Sequence, residues 1–269
     1  MAQSGAPAKY PERPVRYIVP FPPGGSTDIV ARIVAAGLTE DLGEQVVIDN
    51  RGGAGGTIGA EIAAKATPDG YTIFACNIAN LAVSPALHKN LSYDAVRDFA
   101  TVSLVAEQPN LLLVHPSLPA KSLKDFIAHV RPAPGKLTYG SSGVGTTTHL
   151  ATELLLLAAK CNMIHVPYKG IGPAVTALLG NETTADVSTF ASALPHAKAG
   201  RLRALAVTTL ERAKLLPDVP TVTESGVPGY EFTVWYGLVA PAGTPRTVVE
   251  KLNKEKEEAV ANQDFEKAA

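Results

Sequence analysis

The sequence has no run of the roughly 18 apolar residues that a membrane-spanning helix needs. Its densest apolar stretch, Leu154 to Ala159, is far shorter. Only two cysteines occur, Cys76 and Cys161, too few for a disulfide framework and without metal-ligand spacing. Both read as small buried hydrophobes, with one bridge between them as the alternative. Aromatic residues make up 6% of the chain, with a single Trp, so stacking on nucleotide bases has little material. Nor is there a surplus of positive charge. The 24 basic and 25 acidic residues leave a net charge of -1, which removes nucleic acid and anionic membrane surfaces as partners. The N-terminal stretch Ala2 to Pro14 is polar and proline-rich, without the apolar region of a signal peptide. Two origins fit that start: a cytoplasmic protein, or one whose cleaved signal has been replaced by an initiator Met.

What is present is the composition of a globular protein, 46% hydrophobic and 18% charged with mean hydropathy +0.10. A chain of 269 residues can form one large domain or two modest lobes. Its 23 glycines and 21 prolines point to many tight turns between short elements.

Strand-like and helical patterns alternate along the chain. Val15 to Phe21, Gln45 to Asp49 and Thr72 to Cys76 read as strands. Between them lie a helix from Ser26 to Leu38, with Ser26 as N-cap and Asp28 in its first turn, and an Ala-rich helix from Thr57 to Ala66. That β-α-β-α-β succession predicts a parallel, doubly wound sheet. The pattern then repeats. Val102 to Glu107 and Asn110 to His115 read as two strands broken at Gln108-Pro109, and Leu137 to Ser141, Met163 to Pro167, Val187 to Phe190 and Leu202 to Thr208 as further strands. The helices between them run from Leu123 to Val130, Thr147 to Lys160 and Pro173 to Leu179. A last strand, Thr233 to Val239, precedes a charged amphipathic helix from Pro245 to Ala261. Two α/β blocks predict two lobes: 1–106 and 231–269 forming the first, 107–230 the second. The chain would then cross between them near Val105 to Asn110 and Glu231 to Gly237, and a hinge there could open and close.

Two segments join a strand, a Gly-rich turn and a hydroxyl-rich helix start: PFPPGGSTD, Pro20 to Asp28, and YGSSGVGTTTHL, Tyr139 to Leu150. Glycine lets the backbone approach a ligand, and the first turn of a helix carries unsatisfied N–H donors and partial positive charge. A carboxylate or phosphate suits such a site. One loop alone is as well explained by an ordinary βα turn; two, one per lobe, favour a ligand held at the carboxyl ends of the strands.

Catalytic patterns fail. The glycine run Gly52 to Gly59 misses the dinucleotide register and reads as a flexible surface turn, and no Walker A pattern occurs. Ser142 has Gly140 two before it but Val144 two after, so the nucleophile elbow is missed. The six histidines are scattered and none pairs with another at metal spacing, so neither a metal nor a cofactor is expected. His149 beside the serine-rich loop could act as a base but reads more simply as a packing histidine. An α/β enzyme, either a nucleotide-dependent oxidoreductase or a hydrolase using Ser142 and His149, remains the alternative.

The motif order PFPPGGSTDIVAR, VVIDNRGGAGGTIGAE, PDGYT, YGSSGVGTTTHLATELL, HVPYKGIGPAVTALLG, AGRLRALAVT and VPGYEFTVWYGLVAPAGTP covers nearly the whole chain. It resembles the Bug receptors, the TctC-like extracytoplasmic solute-binding proteins of tripartite tricarboxylate transporters. The resemblance implies a two-lobed, type II periplasmic-binding-protein fold, each lobe a mainly parallel sheet flanked by helices, that closes on a small carboxylate. It implies no catalysis, no cofactor, a periplasmic location with a cleaved signal, and the membrane permease subunits of the transporter as partners. The ligand class is a mono- or dicarboxylate, aliphatic or aromatic, and a monomer is expected. Family chains usually run several tens of residues beyond the last helix, so a C-terminal piece is expected to be missing here. The candidate ligand contacts are Phe21, Gly24, Gly25 and Asp28 in the first loop, Asp28 for positioning, and Ser141, Ser142, Gly145, Thr146 and Thr147 in the second. Asn77, Asn80, Tyr168 and Phe190 are candidates for the far end of the ligand. The segment Cys76 to Asn80 departs from the Gly/Ser/Thr-rich stretch common in relatives, so ligand identity does not carry over.

Overall fold

The computed structural model describes residues 10–261, with side chains to 256. In chain order the elements are β1 (Val15–Val19), α1 (Ser26–Leu42), β2 (Val46–Asn50), α2 (Thr57–Ala64), β3 (Thr72–Asn77), α3 (Ser84–Leu87), β4 (Phe99–Val114), α4 (Leu123–Val130), β5 (Thr138–Ser141), α5 (Thr147–Ala159), β6 (Ile164–Pro167), α6 (Ile171–Leu179), β7 (Ala185–Thr189), α7 (Phe190–Lys198), β8 (Arg203–Val207), β9 (Thr233–Pro241) and α8 (Arg246–Ala261). The chain forms two compact units. One contains the chain up to Pro23, Thr27–Ala106 and the stretch from Trp235; the other contains Glu107–Val234 with the three residues Gly24–Ser26. The chain's final residues, on which the expectation of a missing C-terminal piece rests, lie outside the described ones.

In the first unit β1 lies between β2 and β3 and is parallel to both, with Val15 opposite Val46 and Arg16 opposite Thr72. β1 is therefore covered on both edges, and its near-continuous apolar run is what a buried parallel strand requires. β9 joins β3 antiparallel, Phe74 opposite Val239. Ile18, Phe74, Cys76, Tyr93, Phe99 and Val239 pack with Ala60 and Ala63 of α2, whose small side chains let the helix sit close to the sheet.

In the second unit β5 is parallel to β6 and β7, while β4 is antiparallel to β7 on one edge and β8 on the other. Side-chain alternation along β4 divides the core in two. Leu112 and Val114 pack with Val187, Phe126 of α4 and Leu155 of α5. Leu111 and Leu113 pack with Ile171 and Leu178 of α6 and Phe190 and Leu194 of α7.

Three sequence expectations change. Gln108-Pro109 does not break β4, and the registers with β7 and β8 begin just beyond it, at Asn110 and Leu111, so neither of those ladders needs the N–H that Pro109 lacks. Helix α7 was hidden by Pro195, which lies inside it, and Phe190 opens that helix rather than ending a strand. The glycine run is not a loose surface turn. A Cβ on Gly59 would come within 2.9 Å of Pro20 Cα and 3.0 Å of the Arg51 carbonyl, so only glycine lets α2 begin against the end of β1. Both cysteines are free thiols; Cys76 is buried, and burial pushes it up to about 12.

Candidate functional site

Every sequence-predicted site residue follows the carboxyl end of a strand that has parallel neighbours. Phe21, Gly24, Gly25 and Asp28 follow β1; Asn77 ends β3 and Asn80 follows it. Ser141 ends β5 and Ser142 to Thr147 follow it, Tyr168 follows β6 and Phe190 follows β7. This is the end at which ligands bind in open α/β sheets.

The first loop is fixed by one buried carboxylate. Asp28, 2% exposed in the first turn of α1, accepts from Asn50 Nδ2 and Arg32 Nε, each at 2.9 Å. Asn50 also donates to the Phe21 carbonyl at 2.9 Å, so the end of β2 ties both ends of the loop together. Gly24 is exposed with φ +83°, open space where a side chain would stand, whereas Gly25 is buried. Asn77 and Asn80 are buried and bonded to each other. Asn77 Oδ1 accepts from the Ala79 N–H and Asn80 Nδ2, and Asn80 Oδ1 accepts from the Asn77 N–H. Asn77 Nδ2 also donates to Thr27 Oγ1 at 3.3 Å, which braces the start of α1.

The second loop is a network of hydroxyls. Thr148 Oγ1, buried in the first turn of α5, accepts the Ser142 N–H at 2.8 Å and bonds Ser142 Oγ at 2.9 Å. Ser141 Oγ accepts the Gly143 N–H at 3.1 Å and lies 2.6 Å from His165 Nε2. Thr146 is the N-cap of α5, yet its hydroxyl turns back to the Gly143 carbonyl at 2.7 Å and makes no cap bond. The helix thus starts without a side-chain cap on its first-turn N–H groups, the donors that attract an anion. Tyr168 joins the loop through its backbone, its N–H donating to the Ser141 carbonyl at 3.0 Å. Phe190 does not: it is buried in the core between β4, α6 and α7. Ser142 and His149 share no hydrogen bond among the described residues, since Ser142 pairs with Thr148 and His149 Nδ1 accepts from the Gly145 N–H.

Three polar groups escaped sequence reading. Thr148 and His165 are brought to the loop by the fold. Asn110 lies at the start of the paired part of β4, opposite Thr189, fully buried and with neither side-chain polar atom partnered among the described residues. An amide embedded beside the apolar run Leu111 to Val114 was its one available signal. Among the described residues no cluster of His, Cys, Asp or Glu could hold a metal, and no helix is long and apolar enough to cross a membrane.

A family model for the tripartite tricarboxylate transporter family receptor, TctC, matches residues 30–268. The chain belongs to this receptor family. It is 40% identical over 252 residues to protein BugT of Bordetella pertussis, covering 93% of this chain and 77% of that protein. A solved structure of a periplasmic transporter superposes with a TM-score of 0.93 at 43% identity, covering 96% of this chain and 87% of that one. Rpa4515 of R. palustris with adipate gives 0.90 at 40% identity, covering 92% and 83%. MatC of Rhodopseudomonas palustris with bound malate gives 0.89 at 36% identity, covering 95% and 86%. The protein has the α/β fold of the periplasmic binding proteins, and it is a solute-binding receptor of a transporter family rather than an enzyme.

Proposed function

We propose that this receptor captures a small aliphatic dicarboxylate of the adipate and malate class in the periplasm and delivers it to the permease subunits of a tripartite transporter. The observation that carries the ligand class is the repeated design at the carboxyl ends of β1 and β5. Each strand runs into a Gly-rich turn and then a helix start rich in hydroxyls, and neither turn contains an Arg or Lys. Backbone N–H groups and hydroxyls then meet the ligand's charge, with bridging water where the span requires it. The ligand contacts in this reading are Phe21, Gly24, Gly25, Ser141, Ser142, Gly145, Thr146 and Thr147, with Asp28 as the positioner of the first loop. Asn77, Asn80 and Tyr168 stand next to these loops, and Asn110 joins them because its amide is unpartnered. Phe190 supports the site from the core. Two buried N–H···carboxylate bonds at about 1.5–3 kcal/mol each supply only part of the roughly 8 kcal/mol that micromolar capture needs, so several donors must share the carboxylates and the ligand's methylene groups must be buried as well.

The experiment is a thermal-shift series with adipate, malate, a neutral sugar and a nucleotide. Either acid should raise Tm by mass action on the folded form. Stabilisation by the sugar or the nucleotide, with no response to either acid, would reject the ligand class.

A further inference from the structure

Behind the second loop stands a group of rings that ligand contact does not require. His149 on α5 and His165 on β6 are nearly parallel, their centroids 4.2 Å apart, and Tyr139 on β5 stacks on His165 at 4.9 Å. The Tyr139 hydroxyl donates to Glu153, one turn along α5 from His149. Glu153, Tyr139 and the two imidazoles themselves are the titratable groups that the described residues bring against this pair. Both rings touch the loop. His149 Nδ1 accepts the Gly145 N–H at 3.2 Å, and His165 Nε2 lies 2.6 Å from Ser141 Oγ, which in turn holds the Gly143 N–H.

A ring nitrogen that accepts an amide hydrogen cannot carry a proton of its own. Protonated His149 would turn an N–H toward the Gly145 N–H and the bond would be lost. Two imidazolium rings 4.2 Å apart would also repel one another. Burial lowers both rings below the ordinary histidine range, His165 to about 4 with help from His149, while the charge of Glu153 opposes the shift.

We propose that His149 and His165 are positioning residues of the second loop: as neutral rings they hold Gly145 and Ser141, and through them the N–H groups at the start of α5, in the form that accepts the ligand. Protonation of His149 removes the acceptor of the Gly145 N–H and releases that end of the loop. The consequence for ligand rests on the receptor reading above; the coupling of ring to loop does not. The sign separates the two roles a histidine could play here. An imidazolium acting only as a positive charge would tighten binding of an anion on acidification, whereas a lost acceptor weakens it.

The test has two arms. In the ligand-free protein, ring and amide resonances are followed by NMR from about pH 8 to about pH 4. The Gly145 amide should move with the His149 midpoint, below 6.5, and should be flat over that midpoint in His149→Asn, whose side-chain oxygen can replace Nδ1 as acceptor without titrating. In the second arm, calorimetry with adipate and malate at pH 7.5 and 5.5 compares wild type, His149→Asn and His149→Ala. Wild type should lose more affinity on acidification than His149→Asn, because only the wild type gives up the Gly145 acceptor when the ring takes a proton. The ligands' own protonation is common to all three proteins and cancels. His149→Ala should bind weakly at both pH values, with Asn restoring affinity. A Gly145 amide indifferent to His149, a gain of wild-type affinity over His149→Asn at pH 5.5, or identical behaviour of the Asn and Ala variants would each overturn the proposal. If neither acid binds any of the proteins, the ligand class fails and the amide titration alone decides the coupling.

Discussion

The loops after β1 and β5 have the same backbone plan and different chemistry underneath. The first is braced by amides and one ion pair: Asp28 with Asn50 and Arg32, and Asn77 with Asn80 and Thr27. Its three asparagines carry nothing that titrates, and the Arg32 guanidinium is pushed further up by its bond to Asp28. The second is braced by Ser141, Ser142, Thr146 and Thr148 and by two imidazoles. Both loops run into the N-terminus of a helix, so that shared feature does not dictate how the loop is held. What holds it decides how the loop responds to mutation and to pH.

The largest effect is expected at Asp28. Replacing it with Ala removes the acceptor of two bonds at a site 2% exposed, which should cost about 2–4 kcal/mol. The sole tryptophan, Trp235, belongs to the first unit, so urea unfolding followed by its fluorescence reads the right part of the molecule. Asp28→Asn should recover part of the loss, because one carbonyl oxygen can still accept from Asn50. An Ala variant as stable as wild type would mean that the first loop stands without this brace.

Thr148→Val tests the hydroxyl side of the comparison. It leaves the Ser142 N–H without its acceptor, a loss of about 1–3 kcal/mol. Hydrogen exchange at Ser142 should accelerate in the Val variant and stay near wild type in Thr148→Ser. Equal exchange in both variants would show that the loop is held by its backbone alone.

The two loops also differ in how far the sequence revealed them. The strand–glycine–helix order was visible in both, because apolar runs, glycines and hydroxyl residues are local signals. So were most element positions, since alternation of short apolar runs with helical spacing needs no tertiary information. The bracing partners were not visible. Asn50 lies beyond α1 from Asp28, and His165 lies beyond α5 from Ser141; parallel strand pairing brings each to its loop. Glycine was the other blind spot. Gly59 reads in sequence as freedom, whereas in the fold it is a close approach to Pro20 that a Cβ would block. Local rules misled at prolines for a related reason. Pro109 lies outside the stretch of β4 paired with β7, whereas Pro195 sits inside α7 and forgoes the bond to the Ala191 carbonyl, so neither proline ends its element.

The last effect, and the one that isolates the second unit, is the pH dependence of stability. Two groups there, half-buried His165 and buried Asp186, pull in opposite directions. His165 is lowered in the folded protein, from 6.5 to about 4, by burial and by His149. The unfolded chain therefore binds the extra proton first, and this contribution is intact above 6.5 and declines as the pH falls toward 4. Asp186 on β7 is the reverse case: burial raises it from 3.8 to about 8, and neither carboxylate oxygen has a hydrogen-bond partner among the described residues. Its contribution is fully present below 3.8 and is lost as the pH rises through about 8. Between 4 and 6.5 the two slopes oppose each other; between 6.5 and 8 only Asp186 acts. Wild-type stability of the second unit should accordingly fall across the upper window, and Asp186→Asn, nearly the same shape and never charged, should be flat there. In that variant the decline on acidification should become visible, and adding His165→Gln should reduce it, His149 and His196 being lowered as well. Urea midpoints from hydrogen exchange of β5 and β7 amides, read at pH 5, 6.5 and 8, measure all three proteins. A wild type and an Asp186→Asn variant with the same slope from 6.5 to 8 would mean that Asp186 is already ionised in the folded protein, and that imidazoles are the only groups in this unit whose protonation separates its loop from that of the first.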